Sequence, residues 1–451
     1  MAAKTLDMTN GKPLSLLLRF ALPTLTGNLL HQVYSLTDSI IVGRFLGETA
    51  LAAVGCTMPV VLLLAALMIG INIAVGVLIG QYFGRRDEAG MRRAFVNSLY
   101  LGLAIAGVLA VIGIPVSERL LRWMGTPEGP LADATIYLRI NFMTTLCPLL
   151  FYLYSSVFRG MGDSHTALWC LIISVTANIG LDILFVAVWE MGVAGSAWAT
   201  ALAQGLSVLF AAVLLWKRFS VLRPRGADRK PDRKLLGQIT TMAVPIALQS
   251  AFNNLGNLAA QSAINSFGET LIAAYTAANR LGTLALMPAE TVGSALSVYA
   301  GQNFGAGKTQ RIRQGVRAGL ILSVISGAAL AILLLCGSDQ LTALFAKHPS
   351  PQMLAAVKRH LWIAAAPSVL ASGVMLVFQQ TLRGVNKSGH AMAGGLMQLC
   401  IKITVISWGA WRLKSLDVIW LAWPLSFIAG TVWPALICRK EYSRQKSEET
   451  P

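Results

Sequence analysis

Acidic residues are scarce in this chain: Asp and Glu occupy 20 of 451 positions against 37 for Lys and Arg, and charged residues together make up only 13%. Soluble domains carry about 25% charged residues, so a conventional soluble fold is excluded. With 55% hydrophobic residues and a mean hydropathy of +0.62, the composition is that of an integral membrane protein, and no separate soluble domain is visible. Cysteine is also sparse. Cys56, Cys147, Cys170, Cys336, Cys400 and Cys438 form no close pair and no Cys/His spacing, which excludes a disulfide framework or thiolate metal centre and leaves them as small core residues. The chain lacks a GxxxxGKS/T loop, so it carries no ATP-driven motor of its own. It also lacks a His/Cys/acid metal set and a nucleophile and base at recognisable spacing, so it is not expected to be an enzyme or to need a cofactor. No small-residue cleavage site follows the first apolar run, which is therefore expected to stay as a span and not to leave as a signal peptide.

What the sequence has instead is long apolar runs. Residues 58–80 contain no charge, and about 20 apolar residues suffice to cross a bilayer as a helix. Similar runs at 14–42, 94–115, 131–158, 166–189, 193–217, 238–267, 271–303, 314–336, 355–382, 390–414 and 417–438 bring the expectation to twelve spans. The net charge of +17 is distributed by side, which separates a topology signal from nucleic-acid affinity. Most Lys and Arg lie in alternate loops: Lys4, Lys12 and Arg19; Arg85 to Arg93; the run from Lys217 to Lys234; Lys308 to Arg317; Arg383 and Lys387; and the tail from Arg439. The opposite loops hold few, Lys347 among them. By the positive-inside rule both termini are cytoplasmic, as an even number of spans requires, and no nucleic-acid partner is expected. Trp123, Trp189, Trp216, Trp411 and Trp420 lie near span ends and are expected to anchor them at the interface.

The sequence repeats itself. FLGETALAAVG from Phe45 answers FGETLIAAYTA from Phe267, and GQYFGRRDEAGMRR from Gly80 answers GQNFGAGKTQRIRQ from Gly301, each at an offset of 221 residues. FRGMGDSH from Phe158 answers LRGVNKSGH from Leu382, with Arg159 and Arg383 224 apart. The expected organisation is all-α: an N-terminal six-helix lobe over 1–216, a basic cytoplasmic linker over 217–237, a C-terminal six-helix lobe over 238–438 and a cytoplasmic tail over 439–451. Lobes with an even number of spans share one orientation, and such parallel repeats are a transporter architecture with alternating access between halves.

The charges inside the spans are not repeated. A carboxylate at the centre of a membrane helix costs roughly 2.5 to 3.5 kcal/mol, so one is rarely present without a task. Asp38, Asp182 and Glu290 are the acids well within spans. His31, Tyr34 and Asp38 stand at i, i+3 and i+7 on one helical face, and Asn178 and Asp182 at i and i+4 on another. If the faces meet, the first half contains a polar pocket whose two carboxylates cannot easily ionise together and titrate as a coupled pair. Protons or a monovalent cation would suit it, and a purely structural hydrogen-bonded pair is the alternative. At the repeat offset Asn178 answers Lys402, Asp182 answers Ile406, and Asp38 answers Ala259 or Ala260, so the second half lacks the site. Glu290 is either an additional cavity acid or a partner of Lys402 or Arg280. Lys402 would repel cations or recognise anions. Pro23 interrupts the first span before Asp38 and permits a kink, while Pro245 takes the matching place in the second half.

On these residues the chain resembles the multidrug and toxic compound extrusion (MATE) transporters, over nearly its whole length. The resemblance rests on the 6+6 repeat, Pro23 with TDSIIVGRFLG, MPAETVGSALSVYAGQNFGAGK in the eighth helix, and ANIGLDILFVAVWEMGVAGSAWAT, which is specific to the prokaryotic DinF-like branch. It implies roles for Asp38, Asn178, Asp182 and Thr200 in proton or Na+ binding, with Tyr34 and Tyr137 as pocket partners. It further implies a monomer in the inner membrane of a bacterium or archaeon, exporting amphiphilic, cationic small molecules in exchange for H+ or Na+, with membrane lipids as its other partners. Asn253, Asn254 and Asn257 stand on the seventh helix without the carboxylate that another branch uses there. A flippase for lipid-linked oligosaccharides is the rival reading, and the few basic residues within spans speak against it.

Overall fold

The structure is a computed structural model and describes residues 5–343 and 350–448, so Lys4 and Lys347 lie outside the described residues. Among the described residues there are helices and no strands. The first helix, α1 (Pro13–Arg85), has 73 residues. At 1.5 Å per residue it is about 110 Å long, several times the ~30 Å hydrocarbon core, and so cannot be one span. It divides at Gly47, whose φ of 83° and ψ of −173° are open essentially to glycine alone. Helices α2 (Glu88–Trp123), α3 (Glu128–Thr144), α4 (Leu146–Gly160), α5 (Ser164–Asp182, continued by a π-helical stretch Ile183–Val188) and α6 (Gly192–Arg218) follow. Asp87 and Asp163 cap α2 and α5 by accepting from Gly90 N and Thr166 N. Between α3 and α4 the axis bends by 47°, making the pair one broken span.

The second half runs from α7 (Arg233–Ile264) through α8 (Glu269–Gly305), α9 (Thr309–Cys336), the short α10 (Ser338–Ala343), α11 (Pro351–His360), α12 (Ala366–Gly384) and α13 (Ser388–Ser407) to α14 (Leu416–Glu448). A π-helical turn, Leu361–Ala365, joins α11 to α12 as one apolar helix. Gly268, the repeat counterpart of Gly47, separates α7 from α8 with φ 96° and ψ 160°. Among the described residues ten helices are long and apolar enough to cross a membrane and the bent pair makes eleven. Division of α1 at Gly47 yields the twelve spans that the sequence predicts.

The chain forms two compact units, Met1–Asp7 with Leu22–Val244, and Met8–Ala21 with Pro245–Pro451. The start of α1 thus belongs to the second unit and the start of α7 to the first, and each helix changes unit beside a proline, Pro23 or Pro245. In the first unit, Val75, Leu78 and Ile79 of α1 pack with Phe95, Phe158, Leu215, Leu235 and Ile239. In the second, α12 packs against α8, α9 and α14. Helical φ/ψ continues through Pro23; the one break inside α1 is at Gly47.

The segment before each crossing helix is tied down. Residues 219–232, the core of the polar stretch between the repeats, are held on α2: Arg92 Nε donates to Asp228 Oδ2 at 2.6 Å, Tyr100 OH to Arg229 O at 2.8 Å, and Asp232 N to Asn97 Oδ1 at 2.7 Å. The segment before α1 is held on the matching loop of the second unit. There Met8 N donates to Gln302 Oε1 at 2.8 Å, Asn303 Nδ2 to Met8 O at 3.1 Å and Arg311 Nη2 to Gly11 O at 2.8 Å. Trp123, Trp189, Trp216 and Trp411 are exposed as expected of anchors, but Trp420 is a correction. Its side chain is 2% exposed and packs in the core of the second unit against Leu334, Val357 and Leu361.

Candidate functional site

The two polar faces expected from the sequence do meet, and they meet on α6. Tyr34 and Asp38, one turn apart on α1, each reach a hydroxyl of α6: Tyr34 OH lies 3.2 Å from Thr200 Oγ1, and Ser196 Oγ donates to Asp38 Oδ1 at 3.0 Å. From α5, Asn178 Nδ2 donates to the same Thr200 Oγ1 at 3.3 Å. Asp182, one turn further along α5, lies beside Asp38, close enough for the carboxyls to share a hydrogen bond. Such a bond exists only when one of the pair holds a proton, since two carboxylates are acceptors alone. Without it both oxygens of Asp182 are buried with no donor. His31 stacks edge-on against Tyr34 at 5.6 Å and is itself exposed.

Burial grades across this cluster. Asp182 is 0% exposed, Asn178 and Ser196 are buried, and Tyr34, Asp38, Tyr137 and Thr200 are half-buried. The site therefore has a closed end at α5 and an open end at α1. Tyr137, on α3, lies within electrostatic reach of both carboxylates and packs its ring against the Val42, Ala50 and Val193 cluster. No Lys or Arg forms an ion pair with Asp38 or Asp182 among the described residues. Buried carboxylates are normally paired or neutralised, and here the available groups are hydroxyls, an amide and a second carboxyl. That donor set is the chemistry of a site for a proton or a small monovalent cation, and all of it lies within the first unit.

Ser196 is the member that sequence reasoning passed over. Its signal was present, one helical turn before Thr200 in GSAWAT, but a serine in an apolar helix is common and only the approach of α1 selects it. Glu290 and Lys402 belong to the second unit. Glu290 is exposed on α8 and forms no ion pair among the described residues, so of its two alternatives the pairing with Lys402 or Arg280 is not formed. Lys402 instead donates to Asn257 Oδ1 at 2.6 Å, with its ammonium 4.6 Å from the ring centre of Trp423. Pro23 is buried within α1, four turns before Asp38.

Comparisons with known proteins agree with this architecture. The MatE family model matches twice, over residues 23–184 and 245–406. Its two matches begin at Pro23 and Pro245, where the crossing helices change unit. The chain is 34% identical over 333 residues to the probable multidrug resistance protein YoeA of Bacillus subtilis, covering 72% of each chain. It is 22% identical over 395 residues, 86% of each chain, to the multidrug export protein MepA of Staphylococcus aureus. Among solved structures it matches the outward-facing conformation of a multidrug resistance MATE family transporter of the MOP superfamily. The TM-score is 0.89 at 22% identity, over 99% of this chain and 100% of that one. With the family pattern present in both repeats and twelve apolar spans to carry it, this chain belongs to the MatE family of multi-pass membrane transporters.

Proposed function

We propose that this protein is a secondary active multidrug antiporter of the inner membrane, with both termini cytoplasmic, that exports amphiphilic, cationic compounds in exchange for H+ or Na+. The observation that carries the reading is a pair of carboxyls, Asp38 and Asp182, set together in a membrane-spanning bundle with no ion pair to a Lys or Arg among the described residues. A proton or Na+ would neutralise the pair. Relatives named for multidrug resistance and export support the cargo class.

The mechanism follows from the geometry. With the site empty, two like charges in low dielectric repel each other, and Asp182 has no donor for either oxygen. Loading one proton creates a hydrogen bond between the carboxyls; loading Na+ places a charge among the oxygens of Asp38, Asp182, Asn178 and Thr200. Either draws α1 towards α5 and α6, because Asp38 and Tyr34 reside on α1 and their partners on the other two. Pro23, lacking the N–H that would bond Arg19 O, is the point where α1 bends in response. Loading from outside favours release of cargo there, and loss of the ion inside resets the carrier. A single charge moving through 150 mV releases about 3.5 kcal/mol, enough to hold a cargo gradient of a few hundredfold when net charge moves.

The test is efflux of a fluorescent organic cation from proteoliposomes, with a pH gradient and a sodium gradient imposed separately, for wild type and Asp38→Asn. Transport driven by one gradient and abolished in the variant identifies the ion and the site. Gradient-driven transport untouched by Asp38→Asn removes the site, and well-folded protein silent under both gradients redirects the search to lipid-linked cargo.

A further inference from the structure

We propose that the second unit contains a binding site for an oxyanion, the carboxylate of an amphiphilic substrate or the phosphate of a lipid, built on Lys402, Asn257 and Trp423. Lys402 is 6% exposed, on a helix that crosses the membrane. Lysine in such a place is normally paired with a carboxylate or reaches the interface with its ammonium. Here it has no ion pair among the described residues, and its two contacts are the neutral Asn257 amide and the face of Trp423. One accepting oxygen and one ring leave at least one ammonium hydrogen and a full positive charge without an acceptor. The Asn257 amide nitrogen, on the exposed side of α7, supplies a further donor at the same point.

A second, independent observation lies on the other side of Trp423. Tyr275 stands 5.9 Å from Trp423 and 5.7 Å from His360, ring centre to ring centre, so the aromatic wall is continuous. Beyond it a partly enclosed cavity is lined by Trp423, His360 and Ser368 together with Asn279 and Thr283 of α8. His360 is 5% exposed and Ser368 4%, yet His360 Nδ1 and Ser368 Oγ have no hydrogen-bond partner. Buried polar atoms are rarely left so. The uncompensated charge of Lys402 and the Asn257 donor match a carboxylate or phosphate, with the ligand's apolar body against the aromatic wall and the idle His360 and Ser368 groups beyond that wall. Cations are disfavoured there by Lys402.

The inference deepens the export reading, on which it rests for the nature of the cargo, by adding an acidic group to what the carrier accepts. Binding without any gradient tests it separately from coupling. The probes are a xanthene dye with a free carboxylate and the ethyl ester of the same dye, titrated by fluorescence anisotropy against purified protein in phosphatidylcholine nanodiscs. Wild type should hold the acid about tenfold or more tighter than the ester, as loss of a hydrogen bond to a charged group implies. Lys402→Gln and Asn257→Asp should abolish that preference, the second by giving Lys402 an internal counter-ion, while Lys402→Arg should keep it. Asp38→Asn should leave the preference unchanged whether or not it transports. Repeating the titration with phosphatidylglycerol in the nanodisc separates the two sources, since a lipid phosphate at the site competes with the acid and not with the ester. Equal affinity for acid and ester in wild type without phosphatidylglycerol, or a preference that survives both Lys402→Gln and Asn257→Asp in folded protein, overturns the proposal.

Discussion

The two units are built on one repeat and filled with opposite chemistry. Of the two candidates Ala259 and Ala260, counting from the paired Pro23 and Pro245 makes Ala260 the counterpart of Asp38, and Ala260 packs with Ile406, the counterpart of Asp182, in one apolar cluster with Ile264, Tyr275 and Ile419. The scaffold therefore brings those two positions together in both units. In one it joins two carboxyls, in the other two hydrocarbons. Asn178 of the first unit answers Lys402 of the second, so the same helical position offers an amide beside acids in one case and an uncompensated cation in the other. The scaffold needs contact at this point but does not need charge, which supports the proposal that the Asp pair is a functional addition to a packing site.

The comparison can be broken most severely by copying the second filling into the first. Asp38→Ala with Asp182→Ile should reduce gradient-driven efflux to the liposome background, a fall of about a hundredfold or more, because no carboxyl remains at the site. The same variant should unfold no more readily than wild type, since replacing buried polar groups by packed apolar ones is often neutral or stabilising. Efflux measured beside thermal unfolding by size-exclusion fluorescence checks both. Retained, ion-dependent efflux would remove the pair from the mechanism.

The reverse graft carries the next largest effect. Ile406→Asp in a Lys402→Gln background puts a carboxyl into an apolar cluster whose one polar group is the Tyr275 phenol, with no cation one turn away, and should destabilise that background by about 3 kcal/mol. The same thermal assay reads it. A neutral outcome would mean that the second unit already tolerates an ion site, and the contrast between the units would lose its energetic meaning.

Much of this was legible in the sequence because its physics is local. Apolar runs, loop charge and the 221-residue offset follow from the sequence alone, and they predict the twelve spans and the pairing of Gly47 with Gly268. The i, i+3, i+7 spacing placed Tyr34 and Asp38 on one face. The partners of that face were not legible: Ser196 becomes a ligand of Asp38 only through the approach of α1 to α6, a long-range contact with no periodic signature. Trp420 sits at the start of α14 like an anchor, and only the packing of α11 and α12 buries it. Nor could charge in the 217–237 stretch reveal that Asp228 is bound to Arg92, 136 residues earlier.

Glycine offers a sharper comparison with a smaller effect. Gly47 and Gly268 share a backbone conformation that side chains rarely adopt, and neither has a neighbour within 4 Å of an added Cβ. Alanine at either position should cost about 1–3 kcal/mol from backbone strain alone, and the two costs should agree if the repeats use one hairpin geometry. Thermal unfolding of Gly47→Ala and Gly268→Ala measures them side by side, and a cost at one position only would show that the shared backbone is not a shared constraint.

The smallest contrast lies in the two straps that precede the crossing helices. Burial alone pushes the Asp228 carboxyl up, but the Arg92 bond, the Arg225 N–H and the charges of Arg92 and Arg93 outweigh it and hold the group below the usual carboxylate range. A carboxyl depressed in the folded state contributes stability that is fully present above its unfolded value of about 3.9 and is lost as pH falls through the lower folded value. The bonds that tie Gln302, Asn303, Lys308 and Arg311 to the other strap include no carboxylate to take up a proton between about pH 7 and pH 3. Acid should therefore loosen residues 226–232 before residues 8–11, by about 1 kcal/mol or less, the worth of one ion pair near the surface. Hydrogen exchange followed across that range, corrected for its intrinsic pH dependence, reports each strap separately. Asp228→Asn should loosen the first strap at pH 7 and remove its acid response, whereas a common midpoint for both straps in wild type and variant would assign the transition to the whole fold and not to the Arg92–Asp228 pair.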